Sequence, residues 1–107
     1  MQVFTGTVRR MTIGERVKEI GMEGFDAYNP ERPITMLTLD EPQEVHGMSG
    51  DGSGDVVSVM LDEVGVRNAD ELGLEDGAHV SLRTKGLSFP SSSYGAIQRV
   101  IGNFELV

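Results

Sequence analysis

The sequence predicts a mainly β domain, five strands closed into a small Greek-key barrel, with one short helix between the third and fourth strands. Three observations lead there. Stretches rich in Val, Thr, Ile and Leu recur along the chain, separated by segments rich in Gly, Pro, Ser and Asp. One segment, VGVRNADELGLEDG at 64–77, carries helix-start signals. The chain has 107 residues, 38% of them hydrophobic, enough for one core and one domain spanning 1–107.

The first strand is read at 2–13, QVFTGTVRRMTI. Phe4, Gly6, Val8 and Arg10 share one face; Val3, Thr5, Thr7, Arg9, Met11 and Ile13 share the other. Gly6 inside the run predicts a bulge or a close backbone approach. ERVKEIGM reads as a short strand or a helical turn, with Val17 and Ile20 placed for a helix. FDAYNPERP carries two prolines and reads as a connection. ITMLTL at 34–39 is the second strand, stopped by Asp40, Glu41 and Pro42. HGMSGDGSGD at 46–55 reads as the tip of a hairpin, and VVSVML at 56–61 as its returning strand. Asn68 and Glu71 suit a capping box, with Gly73 and Gly77 keeping the helix short and Leu72 and Leu74 facing the core. AHVSLRTK at 78–85 alternates as a half-buried strand. GLSFPSSSYGA at 86–96 is a loop, and IQRVIGNFELV at 97–107 is the last strand.

Five strands with a helix after the third is the order of the OB-fold. The Gly-Thr-Val of the first strand, the Leu-Thr-Leu-Asp-Glu-Pro end of the second and the Leu-Glu-Asp-Gly turn before the fourth resemble small bacterial OB-like domains that have no settled function. The resemblance implies the fold and little else; the fold class commonly serves as a binding platform.

Composition excludes several classes. No apolar run approaches the roughly 20 residues of a membrane-spanning helix. There is no cysteine, hence no disulfide framework and no thiol nucleophile. The opening MQVFTGTVRR lacks the layout of a secretory leader, and a cytoplasmic protein is expected. With 17 acidic and 9 basic residues the formal net charge is −8, which disfavours general nucleic-acid binding. Six aromatics and no Trp leave the core to Val, Leu, Ile and six Met.

Candidate chemistry is sparse. Asp51, Ser53, Asp55 and Asp62 fall at positions 1, 3, 5 and 12 of an EF-hand count, but the sixth position is Val56 and strands flank the loop. A flexible acidic hairpin tip is the plainer reading. His46, Ser49 and Asp51 have the residue types of a hydrolase triad in a run too local to hold its geometry. His46 and His79 are the only imidazoles, too few for a zinc centre without carboxylates such as Glu44. Neither a metal nor an organic cofactor is expected. The loop aromatics Phe25, Tyr28, Phe89 and Tyr94 either cap the barrel or, exposed together, form a ligand-binding patch.

The expected function is therefore that of a non-enzymatic binding module, an accessory bacterial protein holding a small molecule or a protein partner through its loops. A homo-oligomer is also expected, with the last strand as a candidate pairing edge. Two alternatives stand beside it. One is a metal-dependent enzyme using Asp40, Glu41, Glu44, Asp51 and Asp55. The other is a weak single-strand nucleic-acid binder using Arg9, Arg10, Arg83 and Lys85. The second and third strands lack the aromatics that such binders stack on bases.

Overall fold

The computed structural model describes residues 2–22, 29–49, 53–90 and 97–107. Six elements follow in chain order: β1 (Val3–Thr12), α1 (Ile13–Glu19), β2 (Pro33–Ser49), β3 (Val56–Val66), β4 (His79–Phe89) and β5 (Ile101–Leu106). The strands close in the order β1-β2-β3-β5-β4, with β1 and β4 completing the ring. The result is a closed, mainly β, five-stranded barrel, in agreement with the OB-like Greek-key expectation. Pairing is antiparallel except for the short parallel contacts β3–β5 and β2–β4.

The barrel interior takes one face of each strand. Phe4, Val8, Leu37, Leu39, Val45, Val64, Leu82 and Phe104 fill it, with Leu74 closing in from the β3–β4 connection. Phe4 and Phe104 meet edge to face, their centroids 6.1 Å apart. Gly6 lies inward where β1 pairs with β2 on one side and β4 on the other. A Cβ there would collide with the Thr38 carbonyl. The glycine thus permits the close approach expected of it.

The helix lies elsewhere than expected. It is α1, between β1 and β2, and it starts on a complete capping box. The Glu15 amide donates to Thr12 Oγ1, and the Thr12 amide donates to the Glu15 carboxylate. Val17 and Ile13 point from α1 onto the outer face of the barrel and join Ile34 and Ile97 in a second apolar cluster. The segment 67–73 forms only turns. Its capping residue is diverted, because the Asn68 side chain bonds the backbone of β5. Gly73 at φ 64° then ends the turn.

Strand boundaries also move. Asp40, Glu41 and Pro42 do not stop β2, which runs through them to Ser49. The β2–β3 register shifts between Thr38 and Gln43, and this irregularity accommodates a proline that has no N–H to give the ladder. Likewise β4 continues past Lys85 to Phe89 through a register shift at Thr84/Gly86. The last strand is shorter than read, beginning at Ile101.

Candidate functional site

The start of β2, the end of β3 and the residues just before and at the start of β5 border one cleft, with Arg10 of β1. The cleft measures about 110 Å³. Its floor is Ile34, Thr35, Val66 and Ile101, with Gln98 at the side. Gln98 is 1% exposed, and its amide donates to the Thr35 carbonyl at 3.3 Å. The rim carries three cations, Arg10, Arg32 and Arg67, and one acid, Asp70.

These arginines are placed by different elements. Arg32 precedes the first residue of β2 and Arg67 follows the last residue of β3. The Arg67 amide donates to the Gly102 carbonyl at 2.8 Å, fixing its backbone against β5. Arg10 comes from β1. Its guanidinium donates to the Leu74 carbonyl at 3.0 Å and to the Asp70 carboxylate. Among the described residues, Arg32 and Arg67 face no carboxylate within ion-pairing distance. A chain of net charge −8 thus gathers two uncompensated guanidinium groups over a partly apolar floor. Guanidinium presents a planar fork of donors suited to carboxylate and phosphate oxygens.

Three other arginines are held by carboxylates, while Lys18, Lys85 and Arg99 make no ion pair among the described residues. Arg9 holds Glu19 in a two-bond fork at 2.8 and 2.7 Å. The hydrogen bond from Arg9 keeps the Glu19 carboxyl below the usual carboxylate range, and Glu19 raises Arg9 in turn. Arg83 pairs with Glu105 across β4 and β5 at 3.1 Å. Arg16, only 4% exposed, donates to Glu63 through both terminal nitrogens and to the Ile97 carbonyl at 2.9 Å. Of the four cations named for single-strand binding, Arg9, Arg10 and Arg83 are paired with carboxylates, and Lys85 makes no ion pair among the described residues.

The loop aromatics are placed only in part. Phe25, Tyr28 and Tyr94 lie outside the described residues. Phe89 is half-buried at the end of β4 and packs on the main core. A Cβ on Gly47 would lie 2.9 Å from its Cε2, so the ring lies against the β2 backbone.

The histidines sit on the barrel exterior. His79 Nε2 lies 2.8 Å from Asp40. His46 lies between Ser58, 2.6 Å from its Nδ1, and Glu44, 3.3 Å from its Nε2. The sequence does not show that hydroxyl–imidazole–carboxylate series, because Ser58 meets His46 only through the β2–β3 register, while Glu44 lies two residues before His46 on the same face of β2. All three are exposed, whereas a hydrolytic triad orients its base with a buried acid. Among the described residues no three of His, Asp and Glu are grouped to hold a metal ion. Asp51 lies outside those residues.

No helix among the described residues is long and apolar enough to cross a membrane. No family model, no curated protein and no solved structure matches this chain.

Proposed function

We propose that the protein is a non-enzymatic binding module that holds an anionic group of a small molecule or protein partner in the Arg10–Arg32–Arg67 cleft. The observation that carries this reading is the pair Arg32 and Arg67, which face no carboxylate within ion-pairing distance among the described residues, over a floor that includes buried Thr35 and beside buried Gln98. Size refines the ligand. Drug-sized ligands fill about 300–1,000 Å³, while this cleft offers about 110 Å³. It suits one anionic head, a phosphate or a carboxylate, with the rest of the ligand lying outside. The expected resemblance to bacterial OB-like domains, and a place in the cytoplasm, belong to the same proposal.

The test is a titration with pyrophosphate at low salt, followed by amide NMR and thermal melting. Binding to the native state raises its stability. Shifts should centre on Thr35, Arg67 and Gln98, and disappear in the Arg32→Ala, Arg67→Ala double variant. Unmoved spectra at millimolar pyrophosphate would refute this reading.

A further inference from the structure

Among the described residues, side chains and loop backbone cover the strand edges of β5 and β2. On β5, the Gly102 carbonyl accepts from the Arg67 amide, and the Asn68 side chain serves both backbone groups of Phe104. The last strand, the edge expected to be open, is thus occupied. On β2, Gln2 reaches across the gap. Its side chain accepts from the His46 amide at 2.9 Å and donates to the Glu44 carbonyl at 2.7 Å.

The edge of β3 over Val56–Met60 has no such cover among the described residues. β5 reaches β3 only at Gly65 and Val66. The direction of the free groups follows from the ladder. The Ser49 amide donates to the Asp55 carbonyl at 2.8 Å. Bonded and non-bonded pairs alternate in an antiparallel ladder. Gly47–Val57 and Val45–Val59 are then bonded pairs, and Met48–Val56, His46–Ser58 and Glu44–Met60 are not. The Gln2 bonds fit this count, because they take the His46 amide and the Glu44 carbonyl on the side away from β3. Val56, Ser58 and Met60 accordingly turn their N–H and C=O groups to the open edge. No backbone bond from another described segment reaches them.

Edges are ordinarily blunted with charge, proline or a bulge. Residues 56–61, VVSVML, hold no charged residue and no proline. The outward side chains Val56 and Met60 are 67% and 61% exposed. We infer that the β3 edge pairs with the β3 edge of a second copy, antiparallel and centred on Ser58. That register uses all three outward-facing backbone positions. It sets Val56 of each copy against Met60 of the other, apolar on apolar, and Ser58 against Ser58. The register sets the bracketing acids Asp55 and Asp62 against Leu61 and Gly54, so no acid stands directly opposite another.

Sedimentation equilibrium from micromolar to near-millimolar protein tests the inference. The expected result is a mass rising toward twice the 11.6 kDa of one chain. Ser58→Pro removes the central outward N–H and no β2–β3 ladder donor. Val56→Lys with Met60→Lys places like charges opposite each other on a face that is already solvent-exposed. Both variants should dissociate at least tenfold more readily, with circular dichroism and melting confirming an intact barrel. The Arg32→Ala, Arg67→Ala variant should keep the dimer, which separates this interface from the cleft. Wild-type protein that stays monomeric throughout, or a dimer that persists in both β3 variants, overturns the proposal.

Discussion

The Asn68 carboxamide closes a ring with the backbone of Phe104, accepting from its amide at 2.9 Å and donating to its carbonyl at 2.8 Å. One side chain thus continues the pairing that β3 began with β5, beyond the point where β3 itself ends. Asn68→Ala should leave both groups of Phe104 without these partners. A cost of about 1–3 kcal/mol is expected by urea denaturation, since part-buried polar groups lose partners. The Phe104 amide should also exchange faster than the amides of β1.

Gly6 and Thr38 set a second test. Gly6→Ala would drive a methyl into the Thr38 carbonyl, which is held by the β1–β2 register and cannot swing aside like a side chain. The loss should be about 3 kcal/mol or more, at the upper end for single substitutions. Gly54→Ala makes a contrast. Its φ is 79° but nothing surrounds its Cβ position, so strain alone should cost about 1 kcal/mol.

Arg16 and Glu63 form a largely buried pair joining α1 to β3. Glu63→Gln or Arg16→Met alone should destabilise strongly, by about 3–5 kcal/mol, because one charge loses its partner. The double replacement should cost less than the sum. A double-mutant cycle by chemical denaturation checks this; additive losses would mean that the two side chains do not act as a pair.

The Glu19 carboxyl is held low by Arg9, so its folded pKa lies below its unfolded one. Its contribution is present above the ordinary carboxylate pKa of about 4.3 and is lost as pH falls through the depressed folded value. Glu19→Gln should therefore lower stability at pH 7 and change it little at pH 2. Because both partners are more than a third exposed, the difference should be no more than about 1 kcal/mol and should shrink in salt.

Much of the barrel was legible because alternation in a two-sided strand is a strong signal. Phe4, Val8 and Leu82 announced the inward face, and that face is buried. The helix was misplaced because Asn68 looked like a cap from its neighbours alone, while its partner Phe104 is 36 residues away. Thr12 and Glu15 had the capping-box spacing. Gly14, a poor helix former, weakens that signal; the burial that stabilises α1 comes from Ile34 and Ile97, out of local view. The cleft was illegible for the same reason. Arg10, Arg32 and Arg67 stand 22 and 35 residues apart, and nothing local marks Arg32 or Arg67 as unpaired.

The first half of β2 is enclosed on both sides, Leu37 and Leu39 within the barrel and Ile34 beneath α1. Most sheets leave one side wet, so this stretch should behave as the keystone of the molecule. Its amide protons should be the slowest to trade with deuterium, released only when the entire chain opens. Those at Val56, Ser58 and Met60 should escape through small local fluctuations in dilute solution. Raising the protein concentration should slow the second group and leave the first alone.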